Sequence, residues 1–319
     1  MVRVLITGIT GFVGQHLAQM LLAEQSVILF GAARNLSKLS PELRRQTTCF
    51  EGNLQSKAFV VSVLQQAQPT HIYHLAGQAS EPQAWSSSWD TFQTNLLPQL
   101  NLFQGMLELQ LQSRFLSVGS SKVYGAATLQ ELPINEEKAF MPDSPYGVSK
   151  AAQDLMAQQY YLSHQLPIIR VRPFNHIGPG QSSDYVTASF ARQIALAEAG
   201  LSDPNIQVGN LSAKRDFTDV RDVVAAYLLL MAQGTPGQAY NIGSGNAVAI
   251  QTILDTLLTY SQIKIETEQD LARMRPVDQP ISYGDIQKIN RELGWQPKIS
   301  LEESLCQILN YWRQQVSQL

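Results

Sequence analysis

Eight residues near the start of the chain constrain its fold more than any others: Thr7-Gly8-Ile9-Thr10-Gly11-Phe12-Val13-Gly14. They join a short β-rich run, Val2–Thr7, to a helical pattern, Phe12–Glu24. Glycine carries no Cβ, so the spacing GxxGxxG leaves bare backbone amides where the helix begins. A phosphate can approach such a helix N-terminus, and the last glycine lets helix and strand pack closely. A plain tight turn would need only one or two glycines. Gly8, Thr10, Gly11, Phe12, Val13 and Gly14 are therefore candidate dinucleotide contacts.

The strand–helix alternation continues. Val27–Ala32, Thr47–Phe50, His71–Leu75, Arg114–Val118 and Ile168–Arg172 read as strands, and Lys57–Gln66, Phe92–Leu109 and Tyr146–His164 as helices. This order predicts an α/β fold, a doubly wound parallel sheet with ligands at the carboxyl ends of its strands. After Pro173 the character changes. Pro173–Ser183 reads as loop, and the chain closes on a polar amphipathic helix, Leu301–Gln315. The expected division is a dinucleotide-binding domain over 1–172, with a returning segment about 213–242, and a smaller substrate-binding lobe from 173–212 and 243–319.

Hydrophobic residues at 44% and charged residues at 15% fit a globular chain rather than a disordered one. A net charge of −3 gives no reason to expect nucleic acid or an anionic membrane as partner. The most apolar stretch, Val223–Met231, is too short to span a bilayer. Cys49 and Cys306 lie in no Cys/His cluster, so neither zinc nor a disulfide framework is expected. With a strand starting at Val2 and no signal peptide, the cytoplasm is the expected compartment.

The second strand end bears on the cofactor. An NAD site usually carries an acid about twenty residues past the glycines. Here the stretch reads Gly31-Ala32-Ala33-Arg34-Asn35, with Arg34 where a 2′-phosphate would sit. A guanidinium pairs with phosphate as a fork, so NADP(H) is favoured and NAD(H) stays open. Asn53 and Leu54, after the third strand, are candidate adenine contacts. Leu75-Ala76-Gly77 ends the fourth strand in residues small enough for a dinucleotide backbone to pass.

Tyr146 and Lys150 share one face of a helix, at positions i and i+4. A nearby ammonium is expected to lower the tyrosine pKa and make it a general acid or base. That spacing alone is weak. Ser120 adds to it, because it ends the strand Arg114–Val118 on the ligand face, where its hydroxyl can meet a substrate carbonyl or alkoxide.

Together these motifs make the chain resemble the extended short-chain dehydrogenase/reductase family along its whole length. The resemblance implies a Rossmann domain holding NAD(P), with Ser120, Tyr146 and Lys150 as the catalytic set and Lys150 also on the nicotinamide ribose. The second half is similar to GDP-4-keto-6-deoxy-D-mannose reductases and, more loosely, to GDP-mannose 4,6-dehydratases. The matching runs are Pro173–Gln181, Phe190–Ile194, Val208–Leu211, Arg215–Asp222 and Arg273–Asp278. Ser121, Asn175, Arg192, Val208, Asn210, Arg215, Arg273, Arg275 and Asp278 are then candidate substrate contacts. The arginines suit the diphosphate of a GDP-linked 6-deoxy-4-keto sugar. Arg221 and Asp222 read instead as a structural pair at a helix start.

Dehydratases of this kind carry an acid two residues after the catalytic Ser or Thr, and this chain has Lys122 there. The expectation is reduction of the C4 ketone to GDP-D-rhamnose, with hydride from NADPH and a proton from Tyr146. A 4,6-dehydratase, a 4-epimerase and a non-catalytic NADP-binding protein are the alternatives. The helices Phe92–Leu109 and Tyr146–His164 are expected to pair in a homodimer.

Overall fold

The computed structural model describes residues 1–24, 26–273 and 279–319. Its centre is a seven-stranded parallel sheet. The first strands are β1 (Val2–Thr7), β2 (Val27–Ala33), β3 (Thr48–Glu51), β4 (His71–His74), β5 (Arg114–Val118) and β6 (Ile168–Pro173). After β6 come β7 (Asn175–Ile177), β8 (Asn205–Val208), β9 (Lys214–Arg215), β10 (Phe217–Asp219) and β11 (Ala239–Ile242). The order across the sheet is β11-β6-β5-β4-β1-β2-β3. Strand order reverses between β1 and β4, which opens a crevice at their carboxyl ends. Thr7 pairs with both Ala32 and His74, so three strand ends finish level beneath that crevice.

The helices that follow these strands are α1 (Phe12–Leu22), α2 (Pro41–Gln46), α3 (Lys57–Ala67), α4 (Glu81–Ser86), α5 (Ser88–Glu108) and α6 (Pro145–His164). Side chains of a strand alternate between faces, and with both faces covered both sets are apolar. Val4, Ile6, Leu116 and Val171 face one layer, with Leu17 of α1. Leu5, Ile72, Phe115 and Ile168 face the other, with Leu64 of α3 and Phe103 of α5. Burying each such side chain contributes about 2 kcal/mol.

A third cluster lies beyond the sheet. It joins α7 (Val186–Glu198), α9 (Ile250–Thr259) and α11 (Leu301–Val316) through Phe190, Ile194, Leu254, Leu257 and Leu309. Between α7 and α9 the chain makes α8 (Val220–Gln233), whose Val223, Val224 and Tyr227 join the α1 face of the central sheet. Strands β12 (Val248–Ala249), β13 (Glu266–Gln269) and β14 (Ile281–Ser282) and helix α10 (Gln287–Leu293) complete the fold. β12, β9 and β14 form one small sheet, and β13 pairs with β8.

Several sequence expectations are corrected. Helix α5 begins at Ser88 rather than Phe92. Apart from Trp89 its first turn is polar and shows no apolar period, but Asp90 favours the helix N-terminus and Thr91 Oγ1 donates to Ser87 O at 3.0 Å. The segment 173–183 contains β7, which pairs in parallel with β10, a partner too distant in sequence to leave a local signal. Arg221 pairs not with Asp222 but with Asp219, the N-cap of α8, at 2.8 Å. Adjacent helical residues diverge, whereas a cap folds back on the first turn. Asp222 instead accepts the backbone N–H groups of Lys298 and Ile299.

Candidate active site

The glycine turn sits at the crevice. Gly8 has φ +74°, and a Cβ there would lie 2.8 Å from Ala76 N. A Cβ on Gly14 would lie 2.4 Å from Gly8 O. Only glycine lets β1, α1 and the Leu75–Gly77 segment close up this far. Gly11 caps α1 with no side-chain hydrogen bond, so the first helical amides face outward uncovered by the chain's own side chains. Thr10, Phe12 and Val13 complete the turn. Leu54 is buried in the core layer with Phe103, and Asn53 is exposed. Arg34 is exposed just past β2 and makes no hydrogen bond or ion pair with another described residue. Bare amides and a close-packed cradle fit a dinucleotide.

His74, at the end of β4, was not singled out by its sequence. Its Nδ1 shares a 2.8 Å hydrogen bond with Thr7 Oγ1. Burial, and then the nearby Lys150 charge, push its pKa down to about 3, so a neutral ring ties β1 to β4 under the glycine turn.

Helix α6 delivers Tyr146 and Lys150. Ser144 caps it by accepting Gly147 N at 3.1 Å, and Pro145 opens its first turn. Tyr146, Lys150 and Ser120 are 8%, 7% and 8% exposed. Lys150 Nζ donates to Val118 O of β5 at 2.9 Å, which brings the helix against the strand that carries Ser120. Ser120 Oγ accepts Lys122 N at 3.2 Å and also hydrogen-bonds with Tyr146. The three side chains converge at one strand end.

Their electrostatics differ from expectation. Burial pushes the Tyr146 phenol well above the usual tyrosine range; the Ser120 hydrogen bond pulls it down, while Tyr185 and Glu81 push it up. Desolvation outweighs the pull expected of a neighbouring ammonium, because a phenolate loses more on leaving water than this site returns. Burial likewise lowers Lys150 to about 8.

A polar stripe holds this arrangement. Thr91, Asn95 and Gln99, spaced by four along α5, are all buried. Asn95 Oδ1 accepts Gln78 N at 2.7 Å, and its Nδ2 donates to Ser149 Oγ at 2.9 Å. Gln99 Oε1 accepts Ser117 Oγ and Gln153 Nε2. The stripe therefore locks the loop after β4, the strand β5 and helix α6 together. Deeper along α6, Asp154 binds Arg170 Nη1 at 2.7 Å and Arg172 Nε at 2.9 Å, both from β6. At the mouth, Lys122 Nζ meets Glu81 Oε1 at 2.8 Å. The periodic polar residues of α5 were a readable signal that the sequence reading passed over. The Glu81–Lys122 pair left none, since its members lie far apart in sequence, one opening α4 and the other in a 3₁₀ turn.

The substrate-side candidates are more scattered. Val208 is buried at the end of β8, and Asn210 Oδ1 accepts Ser212 N at 3.0 Å. Arg273 lies beside them, because a Cβ on Gly209 would be 2.8 Å from Arg273 O. Its side chain reaches Ser189 Oγ of α7 and Asp270 at 3.3 Å each. Arg215 lies on β9 between β12 and β14, with Nη1 donating to Lys214 O. Asn175 is exposed on β7, and Ser121 is half-buried beside Ser120. Arg192 is exposed on α7 and has no hydrogen bond or ion pair with another described residue. Arg275 and Asp278 lie outside the described residues.

A model of the GDP-mannose 4,6 dehydratase family matches residues 5–308. The chain is 36% identical over 315 residues to the GDP-6-deoxy-D-mannose reductase of Pseudomonas aeruginosa, covering 98% of each. Among solved structures it is similar to RMD from Pseudomonas aeruginosa complexed with NADPH, with a TM-score of 0.87 and 34% identity over 99% of this chain and 100% of that one. It is also similar to the UDP-glucose 4-epimerase of Thermotoga maritima with UDP-glucose, with a TM-score of 0.88 and 25% identity over 98% and 99% of the two chains.

Proposed function

The chain belongs to the GDP-mannose 4,6 dehydratase family, with the fold of the extended short-chain dehydrogenase/reductases, and within it we propose that it is a reductase. It converts the C4 ketone of GDP-4-keto-6-deoxy-D-mannose to the alcohol of GDP-D-rhamnose. Residues 1–172 and 213–242 hold the cofactor; 173–212 and 243–319 hold the sugar nucleotide. NADPH supplies the hydride. Ser120 hydrogen-bonds the ketone oxygen, and Tyr146 gives its proton to the oxygen as negative charge develops there. Lys150, held against Val118 O, presents its ammonium to the nicotinamide ribose and the phenol. Arg34 takes the 2′-phosphate, which makes NADPH the preferred reductant.

The observation that carries this reading is the convergence of the buried Tyr146 phenol, Ser120 and Lys150 at the end of β5, where two hydroxyls can meet one carbonyl oxygen. The lysine at position 122, where dehydratases carry an acid, argues against elimination, as does the 36% identity to a reductase. The test is loss of NADPH absorbance with GDP-4-keto-6-deoxy-D-mannose, with NADH in parallel and the product identified by NMR. One NADPH consumed per 6-deoxy alcohol formed is the expected result. Turnover of GDP-mannose without net cofactor oxidation would show a dehydratase.

The same reading includes a homodimer in a reducing cytoplasm, where Cys49 and Cys306 remain free. Val148, Leu155 and Leu162 form an exposed apolar line on α6, one every seventh residue. Trp85 and Trp89 are exposed on the neighbouring α4 and α5. A second copy of this face would cover both.

A further inference from the structure

We propose that the Glu81–Lys122 ion pair restrains a carboxylate at the mouth of the site from acting as a base on the substrate, so that the carbons flanking the ketone keep their configuration. The inference rests on the reductase reading above.

The pair bridges two strand ends of the site. Glu81 opens α4, directly after the loop that leaves β4. Lys122 lies in the 3₁₀ turn Ser121–Tyr124, and its backbone N–H binds Ser120 Oγ. Its carbonyl lies against the first turn of α6, where a Cβ on Gly147 would approach it to 2.8 Å. The backbone of Lys122 thus touches the segments that carry both Ser120 and Tyr146. Its side chain then reaches across to Glu81 Oε1 at 2.8 Å, with the two side chains 27% and 17% exposed. Because Lys122 N–H binds Ser120 Oγ while its Nζ holds Glu81, the pair is tied directly to the segment that carries the catalytic hydroxyl.

A ketone acidifies the hydrogens on both neighbouring carbons. If a carboxylate takes one of them, the C–H electron pair becomes a C=C bond, and the carbonyl π pair moves onto oxygen. The resulting enolate oxygen is stabilised by the same hydroxyls, Ser120 and Tyr146, that stabilise the alkoxide of reduction. No oxidant or reductant is needed, and return of the proton to either face restores the ketone with or without inversion. A site that binds an oxyanion therefore also favours enolisation whenever a base stands free beside it. In this site the Lys122 ammonium holds the Glu81 carboxylate through Oε1, which fixes where it can point.

The experiment incubates GDP-4-keto-6-deoxy-D-mannose with enzyme and NADP⁺ in D₂O, and reads deuterium at C3 and C5 by ¹H NMR. Wild-type enzyme should exchange no faster than enzyme-free solution. Lys122→Gln should exchange about a hundredfold faster than wild type, and Glu81→Gln/Lys122→Gln should return to the wild-type rate. Lys122→Met serves if Lys122→Gln does not fold. NADPH oxidation by the same preparations reports whether the site is assembled. A Lys122 variant that oxidises NADPH with the keto sugar yet incorporates no deuterium overturns the proposal. So does exchange that persists in the double variant, or wild-type exchange as fast as that of the single variant. Failure of the wild type to oxidise NADPH would instead sink the reductase reading itself.

Discussion

A tyrosine phenol already holds its proton at neutral pH, and burial of Tyr146 makes releasing it harder, a cost that the Ser120 hydrogen bond partly offsets. Tyr146→Phe should cut kcat/KM for the keto sugar by about 10²–10⁴-fold while leaving its binding intact, as steady-state rates and calorimetric titration would show. Lys150 carries the complementary cost. Its folded pKa of about 8 lies below the roughly 10.4 of an unfolded chain. Below about pH 8 both states hold the proton, and the folded protein bears the full penalty of a buried ammonium. Between about 8 and 10.4 the unfolded chain binds a proton that the folded one has released, so stability rises with pH. Wild type should therefore gain stability relative to Lys150→Met between about pH 7 and pH 10, measured by urea midpoints. Ser120, Tyr146 and Lys150 were legible because one lies at a strand end and the others share a helix face. The direction of the Tyr146 shift was not, because desolvation depends on everything packed around the ring. Glu81 was missed because no local pattern joins it to Lys122.

Helix α6 is the element on which the site depends, and it is tied down mainly by polar contacts. Asn95 and Gln99 of α5 reach its Ser149 and Gln153. Asp154, 2% exposed, is gripped by two arginines of β6. Arg172 also lies over the Tyr124 and Phe140 rings at 5.4 and 4.7 Å. Removing the carboxylate leaves two guanidinium groups uncompensated, one of them fully buried. Asp154→Ala should accordingly destabilise the fold by about 3–5 kcal/mol in chemical denaturation. Asp154→Asn should cost less, since its amide oxygen still accepts one of these bonds. The β-α alternation that builds the central sheet was readable throughout the first half, because each strand is a short apolar run followed by a helical period. The small pairings β7–β10 and β12–β9–β14 were not. Strands of two or three residues show no period, and their partners are fixed only by the tertiary fold.

At the scale of the whole molecule, the exposed apolar line Val148–Leu155–Leu162 is the face on which the proposed pairing of two copies rests. If two copies pair through this face as proposed, wild type should scatter light as a dimer and Leu155→Glu with Leu162→Glu as a monomer, with the fold preserved, because both side chains already face solvent within one copy. No helix among the described residues is long and apolar enough to cross a membrane. The path of the chain also bears on how the protein is made. Strand β11 forms one edge of the central sheet, and α8 fills the α1 side of its core, yet both follow β7, α7 and β8 in the sequence. A ribosome releases the glycine turn early and Ile242 late. Until then α1 has only part of its packing partner, and β6 presents an open edge. The nascent chain must therefore wait, with apolar surface uncovered, for a segment that arrives after part of the other lobe has been synthesised. Chaperone occupancy during translation should persist until α8 and β11 have emerged.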